Sequence, residues 1–486
     1  MPRTREELLA GYPDGPSVDP RTIADEVHGS GRVFVVLDDD PTGTQSVTDL
    51  PVLTSWTVES LEWALAQGKP AVYVMTNSRS LDPADARQRN IEVARAAFAA
   101  ARTVGVDVDF VSRSDSTLRG HYPLETDTLA AEIESATGQP VDGVVIVPAF
   151  GDAGRLTIGG VHYAGSDATG YVPVGESEFA QDATFGYASS RLADWVQEKT
   201  AGRVAADDVV AVDLATLRTD RDAVVTALTG LRDGQPFVVD IVEENDLLLL
   251  AAALSEAERA GVRLLYRVGP PFMRARLGQT PRTPLTSEEV GRVRAEGVAQ
   301  DAVGGLVMVG SHTALTTSQL DALRERSAAD RAAGRALTEF EIDVAQVRDD
   351  AAREAHLAGI VASAVEALAG GNVAIRTSRT LVKGAAADDS LAIARQVSSA
   401  VVEVTQRILS ARPPRFVVAK GGITSSDVAS RGLAIDRAYV RGPMLPGIVS
   451  LWEPMDGPAR GIPYIVFAGN VGGPDSLADV VDTLSA

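Results

Sequence analysis

The sequence predicts an α/β protein of two domains, each built on a largely parallel sheet, with a ligand cleft between them. Three observations lead there. Short apolar runs rich in β-branched residues alternate with helical stretches through both halves of the chain, as in parallel sheets with crossover helices. At 486 residues the chain exceeds what one ordinary core accommodates. Between Gly269 and Glu288 the alternation fails around Pro270, Pro271, Pro281 and Pro284. That break separates an N-terminal domain, residues 1–275, from a C-terminal domain, residues 290–486.

The first strand, Val33 to Leu37, is a continuous apolar run suited to a strand buried on both faces. It breaks into Asp38, Asp39, Asp40, Pro41, Thr42 and Gly43. Three adjacent carboxylates repel one another and resist burial, so they need solvent, a metal or a hydroxyl-rich ligand. The C-terminal edge of an open α/β sheet is where ligands bind; the bland alternative is a solvated acidic turn. A helix over Val58 to Ala66 precedes the strand Ala71 to Met75, which ends in Thr76, Asn77, Ser78 and Arg79. Pro83 after Asp82 starts a long helix to about Arg102. The strand Val108 to Val111 leads into SRSDSTLRG, followed by a helix from about Leu124 to Ser135. Then come the strand Gly143 to Val147 and the loop PAFGDAGRLTIGG. Residues 160–188 read as irregular, after which the alternation resumes up to the strand Val262 to Tyr266.

The second half restarts with the strand Leu306 to Val309, running into Gly310, Ser311, His312 and Thr313. Further strands fall near Leu337 to Ile342, Asn372 to Ile375, Phe416 to Ala419 and Tyr464 to Ala468, with helices between them. Three strand ends carry glycine: GSHT, KGGITSSD and GNVGG. Small residues there let backbone approach a ligand closely, and the following helices offer N–H groups to anions. None matches a P-loop or GxGxxG. Three such loops in one domain favour a nucleotide. Lys420 beside Gly421 and Gly422 is placed to meet a phosphate, the plain alternative being a surface lysine.

A net charge of −21 argues against nonspecific nucleic-acid binding, and no apolar run reaches membrane-span length. Any anion must be held by local Arg, Lys or backbone N–H groups. Lysine is scarce, occurring only at Lys69, Lys199, Lys383 and Lys420. There is no cysteine, hence no disulfide framework or thiol nucleophile. The polar N-terminus lacks the apolar core of a signal peptide. A cytoplasmic enzyme acting on small molecules is expected, and a homo-oligomer is compatible with it. In SRSDSTLRG, residues Arg113, Asp115, Ser116 and Arg119 suit a small polyhydroxylated acid, guanidinium pairing with carboxylate while Asp and Ser bond hydroxyls. An Arg–Asp ion pair bracing the loop is the alternative. Arg155 is a second basic candidate, and His162 suits a structural role better than that of a base.

VVLDDDPT also fits an apolar strand followed by DxDxT, the nucleophile loop of haloacid-dehalogenase-type phosphatases, with Asp38 as nucleophile and Asp40 as acid/base. Such enzymes use a basic residue, usually Lys, before a late acidic pair. No Lys lies between Lys69 and Lys199, and the glycine-rich second domain would have no task. A noncatalytic sugar-acid-binding protein is a further alternative.

Taken in order, DDDPTGTQ, TNSRSL, RSDSTLRG, PAFGDAGRLTIGGVHYAG, KGGITSSD and AGNVGG resemble the four-carbon acid sugar kinase family over nearly the whole chain. The resemblance implies an N-terminal sugar-acid-binding domain, a C-terminal ATP-binding domain, and phosphorylation of threonate, erythronate or 3-oxo-tetronates with ATP and Mg²⁺. By matching motif it implies that Ser311, Gly421, Gly422, Ile423, Thr424 and Gly469 contact ATP. Asp39, Asp40, Arg79, Asp115 and Arg119 would surround the acid. This chain has DDDPTGTQ and GGIT where many members have DDLTGA and GGET, so a branched analogue such as 3-oxo-isoapionate enters the expected substrates. Arg113 and Arg119 are expected to fix the substrate carboxylate. One of Asp39, Asp40 or Asp115, with Asp39 preferred, is expected to orient the accepting hydroxyl, and domain closure would exclude water.

Overall fold

The computed structural model describes residues 2–295, 297–329, 336–378 and 387–486. Lys383 lies outside them. The chain forms two compact units: Met1–Leu50 with Trp56–Pro281, and Pro51–Ser55 with Arg282–Ala486. The sequence marks Pro51 to Thr54 as a short extended piece, but nothing in its pattern assigns it to the second unit.

The described strands are β1 (Arg32–Asp38), β2 (Leu50–Leu53), β3 (Ala71–Met75), β4 (Asp107–Arg113), β5 (Gly143–Val147), β6 (Arg155–Ile158), β7 (Val161–Ser166), β8 (Gly170–Pro173) and β9 (Val210–Val212). They continue with β10 (Gln235–Val239), β11 (Leu264–Val268), β12 (Leu306–Val309), β13 (Leu337–Ile342), β14 (Asn372–Thr377), β15 (Val417–Lys420), β16 (Arg437–Leu445), β17 (Ile448–Pro454) and β18 (Tyr464–Phe467).

In the first unit the main sheet runs β3-β1-β4-β11-β5-β10-β9, and every pairing is parallel. The apolar runs of β1, β3 and β5 are buried along both faces, as a sheet covered by helices on each side requires. β1 has β3 on one side and β4 on the other, so the chain reverses its direction of travel there. Such a switch point leaves a crevice at the carboxyl ends of the strands. Asp38 pairs in register with Met75 of β3 and Arg113 of β4, which brings the three following loops to one row.

Residues 160–188, expected to be irregular, instead contribute to a small antiparallel sheet, β6-β7-β8. Its strands are only four to six residues long, too short for a sustained period-2 pattern to mark them. Leu156, Ile158, Tyr163 and Tyr171 pack on Leu8, Leu214 and Val242 and hold it in place.

In the second unit the order is β13-β14-β12-β15-β18-β17-β16-β2. β13, β14, β12, β15 and β18 are parallel, while β16 and β17 are antiparallel. β12 lies between β14 and β15, a second switch point beside the glycine-bearing strand ends. Each unit is thus an α/β fold. No helix among the described residues is long and apolar enough to cross a membrane.

Candidate active site

The acidic end of β1 is stitched to its neighbours by main chain. Asp39 N–H donates to the Arg113 carbonyl, and the Asp38 carbonyl accepts from Thr76 and Asn77 N–H. The loop after β3 therefore delivers Arg79 onto the carboxylates. Its Nε and Nη2 donate to the two oxygens of Asp39 at 3.1 and 2.9 Å. Asp40 lies 3.6 Å and Asp115 3.7 Å from the same guanidinium. In the loop after β4, Arg119 Nε donates to Asp115 Oδ2 at 2.7 Å and Thr117 Oγ1 donates to the same oxygen. Leu118 takes a left-handed φ of 67° in this loop, a conformation that costs a branched residue energy and is held by its surroundings.

Three expected carboxylates, Asp39, Asp40 and Asp115, and two expected arginines, Arg79 and Arg119, are thus brought together. Arg113 has a different position from the one expected. It is 2% exposed and donates to Asp38, to the Asp40 carbonyl at 2.7 Å and to the Ser114 carbonyl at 3.3 Å. Its guanidinium is spent on the protein, bracing the loops, and presents no free edge to a substrate carboxylate. Asp38 is fully buried against Arg113, and a Cβ at Gly43 would collide with both side chains. Burial pushes the Asp38 carboxyl up to about 7 while Arg113 pulls it down. Enclosed by Arg113 and the Gly43 turn, Asp38 is poorly placed to act as the nucleophile of a phosphatase. Ser116 is buried, its carbonyl accepting from the His162 ring at 2.8 Å.

Electrostatics keep the open carboxylates ionised. Burial pushes Asp40 and Asp115 up, but Arg79 with Arg113 at Asp40, and Arg79 with Arg119 at Asp115, outweigh it. Both lie below the usual carboxylate range, Asp115 well below. Burial holds His162 down to about 4, so its ring is neutral. It bonds Thr157 Oγ1 at 2.9 Å and Ser116 and has the structural role expected.

Two buried groups escaped the sequence reading. Glu125 accepts from Ser78 Oγ at 2.5 Å, with Asn90 Nδ2 and Ser112 Oγ at 3.4 and 3.5 Å, and so fixes the turn that carries Arg79. Arg267 lies within 5.2 Å of the Tyr122 and Trp195 ring centroids and donates to the Arg119 carbonyl at 3.2 Å. Glu125 sits inside a helix and Arg267 inside a strand run, where nothing in the one-dimensional pattern marks a charge as site-forming.

In the second unit the three glycine loops meet. Gly310 and Ser311 N–H donate to the Lys420 carbonyl at 3.1 and 3.2 Å, and Gly421 N–H to the Phe467 carbonyl at 2.8 Å. The Gly469 carbonyl accepts from Thr313 and Thr316 hydroxyls at 2.8 and 3.0 Å. A Cβ at Gly310 would collide with Thr424, and one at Gly469 with Ser311, so only glycine lets these loops close on one another. Thr313 caps the helix Ala314–Ala329, its Oγ1 accepting from Thr316 N–H at 3.2 Å. Gly422 opens the short helix Gly422–Asp427 and Ile423 projects outward, 62% exposed. Thr313 belongs to the GSHT strand end read from the sequence, whereas Thr316, and Gln319 with its bonds to the Val471 and Gly473 carbonyls at 3.0 and 2.9 Å, carried no signal there.

Lys420 is no surface lysine. It is fully buried, its ammonium donating to the Ala468 carbonyl at 2.6 Å and lying 3.7 Å from the Phe467 ring centroid. Burial pushes it down to about 7. Its folded pKa lies below the unfolded one, so wild-type stability rises with pH above about 7. Lys420→Met is therefore expected to gain most on wild type at about pH 6, the advantage shrinking by about 2 kcal/mol towards about pH 9. Urea unfolding at the two pH values measures this; an advantage that does not change with pH would contradict it.

Two family models cover the chain. Residues 34–276 match the sugar-binding N-terminal domain and residues 306–477 the nucleotide-binding C-terminal domain. The protein is thus of the class that joins a sugar-binding unit to a nucleotide-binding unit. The chain belongs to the family with this architecture, that of the four-carbon acid sugar kinases. Among solved structures, the Haemophilus influenzae protein HI1011, of the DUF1537 family, is 18% identical with a TM-score of 0.60, over 93% of this chain and 100% of that one. A Salmonella typhimurium LT2 protein named as a tRNA synthase is 18% identical with a TM-score of 0.65, over 92% and 98%. These likenesses concern the fold. No curated protein matches the chain.

Proposed function

We propose that this chain is an ATP-dependent kinase that phosphorylates a hydroxyl of a small sugar acid: threonate, erythronate, a 3-oxo-tetronate or a branched analogue such as 3-oxo-isoapionate. The observation that carries this reading is the cluster of Asp39, Asp40 and Asp115 around Arg79 at a sheet switch point, in a unit matched by a sugar-binding model. Asp39 has both oxygens engaged by Arg79, and Arg113 lies 3.2 Å away, so it serves as an organiser. Asp40 Oδ2 and Asp115 Oδ1 lie 3.6 and 3.7 Å from the Arg79 guanidinium, beyond hydrogen-bond reach. They are the better acceptors for a substrate hydroxyl, and Asp115 takes the role earlier given to Asp39. Phosphoryl transfer asks the protein chiefly for positioning and charge stabilisation, so an ionised carboxylate that orients the hydroxyl suffices.

The second unit suits the nucleotide. Ser311, Gly421, Gly422, Ile423, Thr424 and Gly469 sit on loops whose backbones approach closely only because glycine is present, as a phosphate cradle needs. Lys420 acts from beneath by tying the loop after β18 to β15, instead of touching phosphate. Mg²⁺ would accompany the triphosphate, neutralising its charge, with phosphates, water and one or two carboxylates as ligands. A coupled assay of ADP release over four-carbon and branched five-carbon sugar acids tests the proposal. Acid-stimulated ADP release is expected; ATP left intact with every acid would refute it.

A further inference from the structure

The arginines around the acceptor site are not equivalent. Arg79 is shared by Asp39, Asp40 and Asp115, Arg113 by Asp38 and Asp39, and Arg119 by Asp115 and, at 3.6 Å, Asp182. Arg155 has no carboxylate oxygen within 4.0 Å among the described residues, and its Nε is buried without a hydrogen-bond partner. Its Nη1 donates to the Ala153 carbonyl. The Arg155 and Arg119 guanidinium carbons lie 5.3 and 5.5 Å from the centroid of one ring, that of Phe179. Two cations on one ring repel each other, and among the described residues Arg119 has carboxylates within ion-pair distance whereas Arg155 has none.

The fold places Arg155 there deliberately. It begins β6, pinned by paired main-chain bonds with Phe150, and the small sheet is tied to the Ser114–Gly120 segment by His162 of β7 on the Ser116 carbonyl. Tyr187 adds a bond to the Thr117 carbonyl at 2.5 Å. Asp115 and Arg119 are the charges that act on Arg155, while burial holds its pKa down. Among the described residues Arg267 also lacks a carboxylate partner within 4.0 Å, but it is 2% exposed beneath Tyr122 and Trp195, so it offers no open edge.

We propose that Arg155 is the residue that receives the carboxylate of the sugar acid, with Arg119 beside it and the Phe179 ring fixing the guanidinium planes. This rests on the sugar-acid reading above and replaces Arg113 in the role first expected of it. A planar fork with spare donors matches a carboxylate bidentately, and the incoming anion relieves the repulsion between the two arginines.

Calorimetric titration of the full chain with threonate and erythronate, without nucleotide, tests this, threitol serving as the uncharged control. Arg155→Met is expected to weaken acid binding about thirtyfold, leave threitol binding as in wild type, and keep its melting temperature. Arg155→Lys is expected to recover part of the loss. Unchanged acid affinity in Arg155→Met, an equal loss for acid and alditol, or a wild type that takes up neither acid would overturn the assignment. Acid binding that depends on Arg155 but without ADP release would sink the kinase proposal and leave this one standing. ADP release by Arg155→Met at unchanged KM would do the reverse.

Discussion

Asp115→Asn is expected to lower kcat for acid-stimulated ADP release by about a hundredfold or more, with little change in the KM for ATP. The substitution keeps the size of the side chain and removes the charge that orients the accepting hydroxyl. Arg79 and Arg119 keep other partners, Asp39 and Asp40 for the first and Asp182 for the second, so the loop should stay folded. Because Asp115 lies well below the usual carboxylate range, it stays ionised through mildly acid solution, and it should add no acid limb to the wild-type kcat profile down to about pH 5. Steady-state kinetics of wild type and variant across pH measure both effects. A variant with wild-type kcat would remove Asp115 from the acceptor chemistry.

Arg79→Met should cost about 3–5 kcal/mol of stability, because it strips the shared counter-charge from three clustered carboxylates that are largely withdrawn from solvent. Arg113 and Arg119 compensate only in part, Arg113 being shared between Asp38 and Asp39 and Arg119 reaching Asp115 alone of the three. Burial alone would raise Asp40 and Asp115, and Arg79 is the largest charge holding each of them down. Stability from such depressed carboxylates is present above their unfolded pKa of about 4 and is lost as pH falls. The deficit of Arg79→Met should therefore hold down to about pH 4 and narrow between about pH 4 and about pH 2. Chemical unfolding at both pH values decides it, and a deficit of the same size at each would show that lost packing, not charge, is responsible.

Much of this architecture was legible along the chain. The strand–helix alternation located β1, β3, β4 and β5 and their loops, because helices on both faces force continuous apolar runs. The glycine strand ends marked the nucleotide-binding unit, because close backbone approach leaves no room for Cβ. The small sheet β6-β7-β8 was not legible. Its short strands are ordered by packing on Leu8, Leu214 and Val242, contacts distant in sequence. For the same reason Arg155 stood as a secondary candidate and Glu125 and Arg267 passed unnoticed.

The sequence by itself determined which charges stand at strand ends and which turns must be glycine, since both follow from local chain geometry and the cost of burying charge. Only the tertiary structure decided how those charges pair: Arg113 turned inward onto Asp38, Lys420 turned beneath its loop, and Arg155 left with donors to spare. Pairing depends on distances between groups brought from separate strands, and on which partner reaches a given guanidinium first. No spacing along the chain encodes that.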